Sequence, residues 1–151
     1  MIIEFKPIGV IHSSYKEPGG APRQGASSEI ISRIEIYEEF AGGLTDIDGF
    51  SHLLVLYYFH KSKGYRLMVK PPHDDKIHGV FATRSPHRPN GIGLCLVRLL
   101  SREGRFLTVK GLDAIEGTPL LDIKPYFPDL DLFENPQLGW TEGKLEPKAK
   151  P

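Results

Sequence analysis

Between positions 84 and 90 the chain places two guanidiniums, an imidazole and a carboxamide: Arg84, His87, Arg88 and Asn90. A guanidinium recognises carboxylate or phosphate through paired hydrogen bonds, and an imidazole moves protons near neutral pH. These are the residue types of anion binding and proton transfer. The run that carries them is Gly79-Val80-Phe81-Ala82-Thr83-Arg84-Ser85-Pro86-His87-Arg88-Pro89-Asn90-Gly91-Ile92-Gly93-Leu94. Its middle cannot be regular secondary structure. Pro86 and Pro89 lack a backbone donor and push the preceding residue towards an extended conformation, and Asn90-Gly91 tolerates the positive φ of a turn. Val80-Phe81 before it and Leu94-Cys95-Leu96-Val97 after it are apolar. The expectation is a stiff polar loop between two apolar strands, where binding and catalytic groups are commonly placed. In an arbitrary loop the same residues are ordinary solvated surface.

The wording of the run separates those readings. Phe81 to Asn90, with Ile92-Gly93-Leu94 after it, resembles the signature of the TrmO (TsaA-like, YaeB) family, S-adenosylmethionine-dependent methyltransferases acting on tRNA. A second run lies downstream: Asp113-Ala114-Ile115-Glu116-Gly117-Thr118-Pro119, then Leu121-Asp122-Ile123-Lys124-Pro125-Tyr126. It is similar to another hallmark of that family. Pro22-Arg23-Gln24 resembles the family's first cofactor contact, and the likeness covers roughly Ile3 to Tyr126.

The resemblance implies an unusual β-barrel with S-adenosyl-L-methionine bound near a homodimer interface. It implies methylation of N6 of threonylcarbamoyl-adenosine, beside the tRNA anticodon. Carried over residue by residue, the cofactor contacts are Pro22, Arg23, Gln24, His60, Lys61, Arg84, Leu94, Asp113, Ala114, Ile115 and Glu116. Arg23 or Arg84 suits the cofactor carboxylate, and Asp113 or Glu116 suits its ribose hydroxyls or amino group. The acceptor nitrogen is conjugated and weakly nucleophilic, so transfer needs alignment and a route for its proton. His87, Asp122 and Tyr126 are the candidate base or orienting groups. Arg88, Asn90 and Lys124 are candidates for the tRNA phosphates or the threonyl carboxylate. A module that binds cofactor or RNA without catalysis is the alternative, as is a methyltransferase for another small or RNA substrate.

Composition admits all of these. The 151 residues are 40% hydrophobic and 25% charged, the profile of an ordinary soluble domain. Nineteen basic and nineteen acidic residues cancel, which argues against a strongly basic, sequence-independent binder but can conceal a local patch. Cys95 is the only cysteine, which excludes an intrachain disulfide or a cysteine zinc site, and its apolar setting makes it core. No apolar stretch spans a bilayer and no signal-peptide pattern opens the chain, so a cytoplasmic protein is expected.

The elements that must position these groups read as short strands. Sixteen glycines and thirteen prolines favour many turns over long helices. Strands are expected over Ile2–Ile11, with Pro7 at an edge or bulge, over 28–37, and over Tyr65–Val69. Leu94–Leu100 and Phe106–Leu112 read as a hairpin joined by Ser101–Arg105. Ser51–Phe59 reads as a central strand buried on both faces. Glu38–Leu44 reads as a short helical turn, with Asp46 and Asp48 in the turn after it. His73, Asp74, Asp75 and His78 include ligand types, but two prolines and a lysine deny them a common face, so a solvated loop without metal is expected. The resulting expectation is an all-β, single-domain barrel or strongly curved antiparallel sheet over residues 1–130, with few short helices. Residues 131–151 form an irregular tail that Trp140 anchors in part.

Overall fold

Buried and more exposed residues alternate along the strands Ile31–Ile36 and His52–Tyr58 and the first half of Ile92–Glu103, and a sheet so patterned buries one face by closing on itself. In the computed structural model, which describes residues 1–17, 29–72 and 74–144, the strands are β1 (Gly9–His12), β2 (Ile31–Ile36), β3 (His52–Tyr58), β4 (Met68–Val69), β5 (His78–Gly79), β6 (Ile92–Glu103), β7 (Phe106–Lys110) and β8 (Thr118–Pro125). A single α-helical turn, α1 (Pro128–Asp131), follows among the described residues. Six strands form a closed antiparallel barrel in the order β1-β2-β7-β6-β3-β8, with β8 pairing back to β1. The pair β4-β5 is a separate two-stranded ribbon. The all-β barrel expected from the sequence is therefore the fold.

Ile11, Ile34, Leu53, Val55, Val97, Leu107, Val109 and Leu120 point inward and are fully buried. Each such side chain contributes roughly 1.5–3 kcal/mol relative to exposure, and closure removes the unpaired edges of an open sheet. Cys95 joins this core, as expected. The hairpin between β6 and β7 turns through only Gly104 and Arg105, with Gly104 at a φ of 60°, a positive value that suits glycine in a tight hairpin.

Several local expectations are corrected. The first strand begins at Gly9, after the donor-less Pro7, and Ile2, Ile3 and Phe5 are exposed. The segment 52–58 is not buried on both faces: Leu53, Val55 and Tyr57 face the core while Leu54 and Leu56 are half-buried outside, because each barrel strand has one inner face. Only Met68–Val69 of the 65–69 segment is strand, paired to β5. Strand β6 continues to Glu103, so the expected five-residue loop becomes a two-residue turn. Val80-Phe81 opens the motif as a 3-10 turn, with Val80 buried and Phe81 exposed. Asp74 is not solvated: its side chain is 7% exposed and paired with His78 and Lys144. His73 lies outside the described residues. Glu38–Leu44 is the expected helical turn, in 3-10 form.

Candidate cofactor and catalytic site

The motif loop is stiffened by its own side chains as well as by its prolines. Thr83 Oγ1 donates to the Val80 carbonyl (2.8 Å) and accepts from the Ser85 amide (3.2 Å). Arg88 folds back, and its Nη1 donates to the carbonyls of Thr83 (3.1 Å) and Ser85 (3.0 Å). Two neighbouring segments hold the loop from outside. The Ser62 hydroxyl lies 3.2 Å from His87 Nδ1, and the Arg66 amide donates to the His87 carbonyl (3.1 Å). The Phe59 amide donates to the Gly91 carbonyl (2.8 Å), which fixes the loop's exit to the end of β3.

Against this loop lies a cavity of about 440 Å3, lined by Phe59 and Phe81, by Thr83, Arg84, Arg88 and Asn90, and by Ile92 to Leu94 of β6. Its size falls in the range of small-molecule pockets, about 300–1,000 Å3. Of the expected site residues, Arg84, Arg88, Asn90 and Leu94 thus share one cavity. Asp113 stands behind its β6 wall: the Tyr57 hydroxyl donates to Asp113 Oδ1 at 2.6 Å, and the Tyr57 ring lies on Gly93. Burial pushes the Asp113 carboxyl above its usual range, while the Tyr57 hydrogen bond and the positive field of Arg84 pull it back. Buried beside it, the Cys95 thiol is pushed up to about 12, first by burial and then by the Asp113 charge.

His60 and Lys61, at the end of β3, adjoin the segment 113–117 and residues 16–17. His60 Nε2 would stand 3.9 Å from a Cβ at Gly117, and its Nδ1 is buried without a hydrogen-bond partner. Burial, then the Lys61 charge, lowers its affinity for a proton. Lys61 Nζ donates to the Lys16 carbonyl (2.8 Å). Pro22, Arg23 and Gln24 follow from there but lie outside the described residues. Ala114 is buried, and the Ile115 carbonyl accepts from the Thr118 hydroxyl (2.7 Å). The Glu116 carboxylate is engaged by His12 Nδ1 (3.1 Å), by the Ser13 amide (3.3 Å) and by the Gly117 amide (3.0 Å).

The remaining expected residues sit elsewhere on the barrel. Asp122 and Lys124 are paired at 2.9 Å on β8, and this contact raises the Lys124 pKa. Tyr126 packs edge-on against His52, at the opposite end of β3 from Phe59, roughly 20 Å along the strand. Sequence reasoning missed Tyr57, Gly93, Ser62 and Thr83. For Gly93 there was a signal, since glycine inside a strand pattern marks close approach of another group.

The model of one family, described as the tRNA-methyltransferase O N-terminal domain, matches residues 10–132. The chain belongs to that family. A probable S-adenosyl-L-methionine-binding protein of Archaeoglobus fulgidus is 50% identical over 99% of this chain and 41% of its own. A mouse tRNA (adenine(37)-N6)-methyltransferase is 38% identical over 96% of this chain and 36% of its own. The crystal structure of TrmO from Pseudomonas aeruginosa superposes with a TM-score of 0.76 at 34% identity, covering 93% of this chain and 63% of that one. The chain therefore spans less than two thirds of each of these three relatives, and the matched residues 10–132 include the motif loop, the residues that line the cavity and nearly all of the barrel.

Proposed function

We propose that this chain binds S-adenosyl-L-methionine at the motif loop and methylates N6 of threonylcarbamoyl-adenosine at position 37 of tRNA, as the name of the mouse relative suggests for the base and atom. The observation that carries the reading is the 440 Å3 cavity whose wall holds Arg84, with the Asp113 carboxylate behind it. The residues fit the cofactor. Arg84 suits its carboxylate, Asp113 suits its ribose hydroxyls or amino group, and the orphaned Nδ1 of His60 is a buried polar atom in want of a partner. When bound, the cofactor supplies a methyl on sulfonium, and transfer exchanges that S–C bond for an N6–C bond with release of a proton. His87, oriented by Ser62, is the base candidate that the loop itself carries. Arg88, braced against its own loop, orders the site more than it reaches out.

The chain works as a homodimer in this reading. The outer face of β3 and β6 is apolar, with Ile92 39% and Leu94 40% exposed beside Leu54 and Leu56. The reading requires that pairing through that face bring Asp122, Lys124 and Tyr126 of one protomer towards the cavity of the other. A monomer mass by light scattering sinks this element of the proposal. A cytoplasmic place of work belongs to the same reading, and among the described residues no helix is long and apolar enough to cross a membrane.

A second reading, binding without transfer, is favoured by the Archaeoglobus relative's name, which states binding and no reaction. Calorimetry with S-adenosylmethionine on the wild type and on Arg84→Ala, followed by methyl transfer to modified tRNA, separates the two. Binding lost in the variant together with labelled tRNA supports the enzyme. Binding without label supports the module. No binding by folded wild type, with or without tRNA, overturns both.

A further inference from the structure

The segment after β3 has a charge pattern that the cofactor site does not use. From Tyr58 to Lys70 the chain holds Lys61, Lys63, Arg66 and Lys70 and no acidic residue, within a protein whose charges cancel only over its whole length. Lys61 is engaged by the Lys16 carbonyl and the Glu17 carboxylate. Lys63, Arg66 and Lys70 are exposed, and none of the ion pairs among the described residues uses them. Tyr65 stands among them with 60% of its surface exposed. A large aromatic ring between cations gains little from water, but it stacks well on a base whose phosphates the cations hold.

The segment is not a loose loop. The Arg66 amide donates to the His87 carbonyl, Ser62 touches His87, and the Val80 amide donates to the Leu67 carbonyl (2.8 Å). Its exposed face is therefore fixed against the motif loop. Between the two lies a slot of about 150 Å3 lined by Tyr58, Tyr65, Pro86, Arg88, Pro89 and Gly91, among others. That is below the roughly 300 Å3 at which small-molecule pockets begin, and its flat aromatic and proline walls suit a single planar group.

We propose that Lys63, Arg66 and Lys70 form a phosphate-binding ridge for tRNA, with Tyr65 stacking on an unpaired base at the slot beside the motif loop. This rests on the tRNA reading of the site and extends it to residues that neither the motifs nor the cavity include. The ridge lies outside the cofactor cavity, so it contributes RNA affinity without touching cofactor affinity.

The test is a fluorescence-anisotropy titration of transcribed tRNA at about 50 mM and about 200 mM salt, with calorimetry of S-adenosylmethionine beside it. The proteins are the wild type, the double reversal Lys63→Glu/Arg66→Glu, Tyr65→Ala, Tyr65→Phe, and Arg33→Glu on β2 across the barrel. The double reversal is expected to weaken RNA binding by more than about tenfold and to flatten the salt dependence by about one unit of slope per contact. Tyr65→Ala is expected to weaken binding about five- to a hundredfold without changing the slope, and Tyr65→Phe to restore it. Arg33→Glu and every cofactor affinity stay at wild-type values. If the wild type binds tRNA and the ridge variants bind it equally well, the ridge is wrong and the tRNA reading stands. If the ridge variants lose cofactor and RNA together, the residues are structural and the proposal falls. Should the folded wild type bind cofactor but no tRNA at low salt, the ridge and the tRNA half of the proposed function fall together.

Discussion

The ring of Tyr57 lies directly on Gly93: a Cβ added to Gly93 would come closer than 3.0 Å to three atoms of that ring, and the same tyrosine holds Asp113 through its hydroxyl at 2.6 Å. The glycine of the motif strand thus sets the position of a carboxylate some twenty residues downstream, although the two never need to touch. Gly93→Ala is expected to push the ring off its seat, destabilise the fold by about 1–3 kcal/mol through overpacking, and weaken cofactor binding. Tyr57→Phe keeps the ring and removes only the hydroxyl, so it isolates the second effect. It leaves Asp113 short of a donor at a cost of about 1–3 kcal/mol and raises its pKa further. Denaturant titration of both variants, with calorimetry on S-adenosylmethionine, checks the pair. Wild-type cofactor affinity in both would sever Asp113 from the site.

A four-residue network joins β1, β2 and the 113–117 segment. His12 bridges Glu35 (2.9 Å) and Glu116 (3.1 Å), and Arg105 completes it on Glu35 (2.9 Å). The Glu35 hydrogen bond raises His12 above its ordinary 6.5, with Glu116 acting the same way against partial burial. Glu35, through His12 and then Arg105, and Glu116, through His12 and the Ser13 amide against burial, are held below their ordinary 4.5. A raised histidine stabilises fully below its unfolded pKa and loses that contribution as pH rises through the folded one. Lowered carboxylates stabilise above their unfolded pKa and lose it as pH falls through the folded ones. The network is therefore strongest between about 4.5 and 6.5, and weakens on the alkaline side as His12 loses its proton. The effect is modest because His12 is 40% exposed. His12→Gln is expected to flatten the stability profile between that window and mildly alkaline pH. An unchanged profile by urea titration at each pH would show that folding does not shift the His12 pKa.

How far these features can be read from the chain depends on their range. The barrel is written in local alternation, as in Ile30, Ile34 and Ile36 against Arg33 and Glu35, and in turn residues such as Gly104, so it is legible. Val80-Phe81 is too short a pair to show any period, and it forms a 3-10 turn instead of a strand. The run Leu53–Phe59 is uniformly apolar because its outer face is half-covered, which hides the alternation between its two sides. The site's supports are harder still. Tyr57–Asp113, His12–Glu116 and Trp140–Ala82 span 56, 104 and 58 positions, and no spacing rule links residues so far apart. The motif names Asp113 and Glu116 side by side, yet only the fold turns one towards Tyr57 and the other towards His12.

Cys95 is the one cysteine of the chain, and only 4% of it is exposed. Its Sγ lies 3.2 Å from the Gly111 carbonyl, and its pKa is pushed up to about 12 by burial and the Asp113 charge. Thiolate is the reactive form, so neither access nor ionisation favours modification. Native protein at mildly alkaline pH is expected to resist N-ethylmaleimide, with full labelling only after denaturation, read by intact mass. Rapid labelling of the folded protein would mean that the β6–β7 wall opens readily, and the rate would then report that opening.

Trp140 ties residues 139–144 to the entrance of the motif loop. Its indole Nε1 donates to the Ala82 carbonyl (2.8 Å), its ring stacks on His78 at 4.2 Å, and Lys144 pairs with Asp74 (2.9 Å), which also holds His78 (2.7 Å). Those contacts, with Lys144 first, hold the Asp74 carboxyl far below its usual range. A carboxylate so lowered supports the contact above its unfolded pKa and gives it up only in strong acid, as pH falls through the folded value. Because Trp140 is the only tryptophan, its fluorescence reports this contact directly. Asp74→Asn removes the charge that both Lys144 and His78 use, and is expected to shift the emission to longer wavelength and raise acrylamide quenching at neutral pH. Trp140→Ala removes the stack and the hydrogen bond together and is expected to cost about 1–3 kcal/mol, with a looser cofactor site because Ala82 directly precedes Thr83 and Arg84. Emission from Asp74→Asn identical to wild type would show that Trp140 holds the segment without the ion pairs, and wild-type cofactor affinity in Trp140→Ala would show that the motif loop needs neither.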